Sequence, residues 1–562
     1  MKKYCVKKTP RIYTPIKNFA HLIAIQESRA AKPAFKYPKG KEFVTVTAGE
    51  FAAMATRVAA GLKAAGLEGK RVAIIGETSP EWIATYLGTV ASGGVAIPMD
   101  KELAVPEIEG FLASVNAEAI VYSASFNEKL AATKENHPTL KCFIPLDGEQ
   151  DEKTLPFAAL QQLGAKEIEA GYVLPERDPE ALATMLFTSG TTGTSKCVML
   201  AEKNTVSCVN AACASVNFSD KDVLLSVLPI HHTYELAIML AALDIGVTVG
   251  INDSLRHLMR NVAEVKPTGL ILVPLFVSTI YKKIMDKAKK QGKDGLIRKM
   301  IPIAARLPRK WRRKMFGAIH ETFGGRLEKI ICGGAALNPE LVRTFDAFGI
   351  QICEGYGITE CSPLIAVNPY FANKPGSVGP AVPGCEARIA VTGKNDRGFD
   401  EGEIQARGDN VMIGYYQNDE ANAAAFTEDG WYRTGDVGYI DKDGYIHITG
   451  RLKSVIVLES GKNVFPEEIE EYLADIEQIA ESVVVGRKAQ ESDAVLLTAV
   501  VFPNKDAFPA DTDKDTMYKV IYDKIVEQNK RVASFKKIMA LELRDEEFEK
   551  TTSKKIKRHL VK

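Results

Sequence analysis

Short apolar runs alternate with longer amphipathic stretches through the first two thirds of the chain. Lys70–Gly76 (KRVAIIG) is a buried-strand pattern, 81–94 (EWIATYLGTVASGG) has helical periodicity, and 95–100 (VAIPMD) is apolar again. AEAIVY (117–122), KCFIPLD (141–147) and ATMLFTSG (183–190) continue the series. So do VLLSVLPI (223–230), GVTVGI (246–251), TGLILVPLF (268–276) and LEKIICGGAAL (327–337). Runs of four to eight apolar residues suit strands covered on both faces, and the β-α-β-α order predicts a largely parallel sheet under helices.

After about residue 375 the texture changes. GSVGPAVPGCEARIAV, GEIQARG, GWYRTGD and DGYIHITG are short, Gly-rich and strand-like. They predict a more antiparallel, barrel-like subdomain. From about 450 the order is strand, helix (FPEEIEEYLADI), strand (SVVVG), strand (AVLLTAVVF), helix (518–532) and strand (KIMALEL). The predicted fold is therefore α/β: a large N-terminal α/β domain with parallel sheets and a barrel-like part, then a small α+β unit.

Composition narrows the class. The chain has 562 residues, 46% apolar and 25% charged, with 43 Gly and 26 Pro, so fibrous and broadly disordered readings fall away. No apolar span approaches the length of a membrane helix. Leu236–Leu243 ends at Asp244, and Gly269–Tyr281 contains Pro274. The basic N-terminus lacks the apolar core of a signal peptide. Nine cysteines without a CxxC point to reduced thiols, and eight histidines show no metal-ligand spacing. The expectation is a cytoplasmic protein.

The net charge of +1 conceals an asymmetry. Residues 282–314 hold fourteen Lys or Arg against Asp286 and Asp294. Such a patch attracts a polyanion, whether a nucleotide, CoA or an anionic membrane, or is simply a solvated helical face. It lacks the interleaved aromatics of a nucleic-acid module, so no nucleic acid is expected.

Four segments carry chemistry. Thr188-Ser189-Gly190-Thr191-Thr192-Gly193-Thr194-Ser195-Lys196 follows an apolar strand. Small hydroxyl residues and glycines let main-chain N–H groups approach a polyphosphate, and Lys196 adds charge. It is not a Walker loop: Ser195 stands where the second Gly would be, and Cys197 follows the lysine. Gly355-Tyr356-Gly357-Ile358-Thr359-Glu360 sets an acid beside a hydroxyl, a pair able to hold Mg²⁺ on phosphate, while Tyr356 offers a flat face to a base. In WYRTGD, Asp436 can accept both hydroxyls of a ribose or simply stabilise a turn. In GRLK (450–453), Arg451 can pair with ribose or phosphate. Pro466 then opens a helix with acids in its first turn.

Together and in this order, TSGTTGTSK, YGITE, YRTGD and GRLK resemble the adenylate-forming superfamily of acyl-CoA synthetases, adenylation domains and luciferases. The resemblance runs from 42–62 to the tail. It implies two half-reactions: a carboxylate attacks the α-phosphate of ATP, giving acyl-adenylate and pyrophosphate, and a thiol then takes the acyl group and releases AMP. It implies domains 1–452 and 453–562, the second mobile about a hinge at Lys453. It assigns Thr188 to Gly193 and Lys196 to the β/γ-phosphates, Thr359 to the α-phosphate and Glu360 to Mg²⁺. Gly333, Gly334 and Ala335 would line the adenine slot with Tyr356 against the base, Gly357 would belong to the ATP site, and Asp436 and Arg451 would fix the ribose. His232, in LPIHHTYE, matches a position near the substrate carboxylate, or is a packed strand-end histidine.

The tail, Glu549 to Arg558 (EKTTSKKIKR), matches the family's catalytic-lysine segment and places that lysine at Lys555, with Lys554 beside it where many members have Gly. Its ammonium would stabilise charge developing between carboxylate and α-phosphate. The basic insert, SGKNVFPEEIE and TTSKKIKR resemble long-chain fatty acyl-CoA synthetases in particular. The implied partners are a fatty acid, ATP, CoA and Mg²⁺, with peripheral contact to an anionic membrane through 282–314; a homodimer is left open. The alternatives are another carboxylic acid, an acyl-carrier protein as acceptor, or a non-catalytic acyl- or nucleotide-binding protein.

Overall fold

The computed structural model describes residues 14–40, 42–147, 154–188, 195–458, 463–488, 495–551 and 556–561. Two compact units result. One comprises the chain to Ala387 with Ala406–Tyr432; the other comprises Arg388–Gln405 with the chain from Arg433 onward.

The first unit contains two large sheets. In the eight-stranded sheet the order is Leu364–Val367, Gln351–Gly357, Lys329–Gly333, Gly269–Leu272, Val223–Ser226, Thr248–Ile251, Pro33–Lys39 and Glu42–Thr47. Its six central strands are parallel, and both edge strands are antiparallel. The seven-stranded sheet runs Gly414–Tyr415, Lys196–Ala201, Leu182–Thr188, Val95–Met99, Arg71–Ile75, Ala119–Tyr122 and Cys142–Pro145. The predicted parallel, doubly covered sheets are thus present. The TGLILVPLF run divides: its strand stops at Leu272, and Pro274 begins the helix Pro274–Lys290, where a missing N–H costs nothing.

Local signals set several boundaries. The helix Ala48–Ala64 starts with a capping box: Glu50 N–H donates to Thr47 Oγ1 at 3.2 Å, and Thr47 N–H to Glu50 Oε2 at 2.7 Å. That helix packs on Pro80–Ala91, whose Trp82 and Tyr86 are fully buried, and on Phe157–Glu169. Gly164 permits the second contact, since a Cβ there would lie 1.9 Å from the Arg57 carbonyl oxygen.

The Gly-rich region after 375 forms an open sheet instead of a barrel. Its order is Cys385–Lys394, Asp400–Gly408, Tyr432–Ile440 and Ile446–Arg451, and the described residues contain no closed barrel. The first and last of the four strands do not pair with each other, so the sheet stays open at both edges. The rest of the second unit is α+β. Ile479–Lys488, Val495–Pro503 and Ala540–Leu543 make a three-stranded sheet under the helices Pro466–Leu473 and Lys514–Gln528. Val464, Leu473, Leu497, Ala499, Val501 and Ile521 fill its core. The second helix begins at Lys514, earlier than its apolar pattern suggests, because Asp513 caps it by accepting from Thr516 N–H at 2.8 Å. Among the described residues no helix is long and apolar enough to cross a membrane.

Candidate active site

The Thr/Gly-rich loop joins two adjacent antiparallel strands. Thr188 ends Leu182–Thr188, Lys196 opens Lys196–Ala201, and the two are register partners. The antiparallel ladder therefore brings both ends of the loop together. Ser189, Gly190, Thr191, Thr192 and Gly193 lie outside the described residues, as do Lys554 and Lys555.

Glu360 sits in the short turn Thr359–Cys361, which follows the strand Gln351–Gly357. The sharp approach to this turn requires Gly357, because a Cβ there would lie 1.6 Å from the Pro363 carbonyl oxygen. The Glu360 main-chain carbonyl accepts from Met412 N–H at 2.8 Å, and Oε1 of its side chain accepts from the Tyr415 hydroxyl at 2.8 Å. Tyr415 Oη lies 3.3 Å from Tyr432 Oη, and Lys196 Nζ stands 4.6 Å from the centre of the Tyr415 ring. Tyr415 thus links the lysine that ends the phosphate-loop motif to the carboxylate of YGITE. Burial, reinforced by the Glu360 charge, pushes both phenol pKa values up, so they stay protonated donors.

Tyr432 belongs to the YRTGD motif, but Tyr415 does not stand out in sequence reasoning. The available signal is GYY (414–416), whose Gly414–Tyr415 pair forms the edge strand against Lys196–Ala201. Asn422 fixes that edge: its Oδ1 accepts from Tyr415 N–H at 2.7 Å, and its Nδ2 donates to the Tyr415 carbonyl at 2.9 Å.

Gly333 ends its strand and is the register partner of Gly355, near the end of the parallel strand beside it. A Cβ on Gly333 would lie 3.1 Å from the Gly355 carbonyl oxygen and 3.3 Å from the Tyr234 ring. Gly334 follows with φ +89°, and Tyr356 is buried beside this pair. The five residues Gly333, Gly334, Ala335, Tyr356 and Gly357 therefore cluster at one end of the eight-stranded sheet. His232 is the residue before the helix Thr233–Ile245, and its ring centre lies 4.3 Å from that of His231. His231 Nε2 in turn lies 3.5 Å from Asp100 Oδ2, a pairing the sequence did not suggest.

Behind this region lies an apolar pocket. It runs between the helices Glu202–Ser215 and Thr233–Ile245 and the strands Lys329–Gly333 and Gln351–Gly357. Cys208, Ala237, Ala241, Ile331, Leu364 and Val367 are among its walls, and Gly355 borders it. Its one hydroxyl-bearing side chain, Tyr234, is held by the main-chain carbonyls of Ile331 at 3.2 Å and Leu272 at 3.3 Å. The next residue, Glu235, is fully buried and takes a hydrogen bond from Ser226. Desolvation raises its pKa to about 8.

In the second unit, Asp436 and Arg451 are cross-strand partners. Arg451 Nε lies 2.9 Å from Asp436 Oδ1, with the aspartate buried and the arginine half-exposed. Lys453 lies exposed in the turn Leu452–Ser454.

Known proteins resemble this chain over most of its length. The model of the AMP-binding enzyme family matches residues 24–416, and that of the AMP-binding enzyme C-terminal domain matches 453–562. Long-chain-fatty-acid–CoA ligase FadD15 of Mycobacterium tuberculosis is 31% identical over 472 residues, covering 78% of this chain and 75% of that protein. The peroxisomal long chain acyl-CoA synthetase 6 of Arabidopsis thaliana is 28% identical over 83% of this chain and 69% of its own length. Among solved structures, ATP-bound MatB from Rhodopseudomonas palustris superposes with a TM-score of 0.74 at 28% identity, over 97% of this chain and 98% of that one.

Proposed function

This chain belongs to the AMP-binding enzyme family, and we propose that within it the protein is an ATP-dependent fatty acid–CoA ligase with a preference for long chains. The observation that carries the fatty-acid reading is the apolar pocket against the Gly333–Gly355 strand ends. A dicarboxylic or hydroxylated acid would leave its polar groups without partners there, a cost of about 1–3 kcal/mol each. An alkyl chain loses nothing of the kind. Its carboxylate would emerge at the end of the sheet where Gly355, Tyr356 and the Thr359–Glu360 turn lie.

In this reading the ends of the Thr188–Lys196 loop present donors to the β/γ-phosphates, and Asp436 and Arg451 hold the ribose. Lys555 stabilises charge as the carboxylate attacks the α-phosphate, and Lys453 is the hinge through which the C-terminal domain 453–562 turns to the second half-reaction. The donor set suits Mg²⁺: Glu360 offers a hard carboxylate beside the Thr359 hydroxyl, and Mg²⁺ is commonly held by one or two carboxylates with substrate phosphates and water. When bound there, Mg²⁺ would neutralise phosphate charge. Tyr415, by hydrogen bonding to Oε1, fixes the rotamer that presents the other carboxylate oxygen.

The test is mass spectrometry of products from ATP, Mg²⁺, CoA and free acids from acetate to oleate, with benzoate. AMP formed together with long-chain acyl-CoA is the expected result. Acyl-adenylate without thioester would move the acceptor to a carrier protein. Preferred turnover of benzoate or acetate would remove the fatty-acid assignment.

A further inference from the structure

The basic segment 282–314 folds as the end of the helix Pro274–Lys290, the helix Asp294–Ala304 and the helix Arg309–Met315. Three of its fourteen cations are internal ties. Arg309 donates to the carbonyls of Gly349 and Glu328. Arg312 donates to those of Leu307 and Asp346, and Arg313 to those of Leu327 and Gly325. The other eleven, from Lys282 to Lys314, are exposed. The folded core therefore accounts for a minority of this charge.

The same helices leave apolar side chains in water. In Asp294–Ala304, Ile297, Met300, Ile301 and Ala304 turn inward to the core around Phe345 and Phe348. Leu296, Lys299 and Ile303, spaced i, i+3, i+7, share the outward side. Leu296 is 57% exposed and Ile303 56%. In the next helix, Arg309, Arg312 and Arg313 face the protein, which turns Lys310, Trp311 and Lys314 outward; Trp311 is 58% exposed. Both helices pack on Pro339–Phe348 and on each other, so the two outward sets are neighbours on the surface.

We propose that this face, with Leu296, Ile303 and Trp311 set among exposed lysines and arginines, is a docking surface for an anionic lipid bilayer. The mark of this face is the combination: an indole and two branched aliphatics exposed within a run of eleven exposed cations. A bilayer interface uses both features: indoles sit at headgroup depth, short apolar side chains insert between lipids, and each nearby Lys or Arg adds attraction to acidic headgroups. The surface stands independently of the ligase reading, and it would bring the protein to the phase in which long-chain acids dissolve.

The full-length protein should co-sediment with vesicles of phosphatidylcholine and phosphatidylglycerol, not with phosphatidylcholine alone, and be released by salt. Trp82 and Trp431 are buried, so Trp311 is the tryptophan within reach of lipid, and brominated acyl chains should quench its emission. Trp311→Phe should abolish that quenching. Lys310→Ala with Lys314→Ala should weaken vesicle binding roughly tenfold or more, at about fivefold per charge. Turnover of a water-soluble medium-chain acid should be unchanged in these variants, which separates failure of this surface from failure of the ligase assignment. Equal sedimentation with neutral and anionic vesicles, or binding without quenching, would overturn the proposal. So would a dimer in solution that Trp311→Ser dissolves while vesicles bind nothing.

Discussion

The Tyr415 hydroxyl donates to Glu360 Oε1 at 2.8 Å across 55 residues of sequence, and the Tyr415 ring faces Lys196. One phenol therefore orients the carboxylate assigned to Mg²⁺ and abuts the end of the phosphate-loop motif. A hydrogen bond to a charged group contributes about 1.5–3 kcal/mol. Tyr415→Phe should lower kcat/KM roughly tenfold or more and raise the Mg²⁺ concentration needed for half-maximal rate. Tyr432→Phe, one contact further from the carboxylate, should do less. Unchanged Mg²⁺ dependence in Tyr415→Phe would make the bond merely structural.

Chain length should be set by the apolar pocket. Ala237 is buried on its wall, on the helix that begins just after His232. Ala237→Phe should reduce palmitate turnover at least about tenfold more than hexanoate turnover, with a packing cost of about 1–3 kcal/mol in stability. A uniform loss across chain lengths would place the acyl chain elsewhere.

The tail lysines can be told apart by half-reaction. Lys555→Ala should slow acyl-adenylate formation by a factor on the order of 100–1,000, while thioester formation from supplied acyl-adenylate persists. Lys554→Ala should leave adenylation near the wild-type rate. The reverse pattern would move the role to Lys554.

Glu235 gives a signed pH dependence. Its pKa rises from 4.5 to about 8 on folding because burial desolvates the carboxylate, which the hydrogen bond from Ser226 offsets only in part. Below the lower value both states are protonated and the group costs nothing. As pH climbs towards 8 the unfolded chain ionises first, and stability falls by up to about 1.4 kcal/mol per pH unit. Glu235→Gln lacks this loss. Its thermal midpoint relative to wild type should therefore rise steadily between about pH 5 and pH 8. A constant offset across that range would show that Glu235 is already ionised in the folded state.

Much was legible in the chain because it is local. Strands such as Arg71–Ile75 and Val95–Met99 are written as apolar runs, helix starts as capping residues and prolines, and the phosphate-loop and YGITE motifs as contiguous residue types in fixed order. The cross-strand pairing of Asp436 with Arg451, by contrast, shows only in the folded sheet. What depended on chain crossings was not legible. Tyr415 reaches Glu360 because an edge strand from residues 414–415 joins Lys196–Ala201, and no periodicity encodes that partner. The apolar pocket is enclosed by segments drawn from residues 208 to 367, each of which reads as ordinary core. In the basic segment, composition counted fourteen equal charges; only folding separates Arg309, Arg312 and Arg313, bonded to main-chain carbonyls, from the eleven whose side chains are exposed. Hydrophobic periodicity specifies which face of an element is buried; which side chains then meet is decided by the packing of elements far apart in sequence.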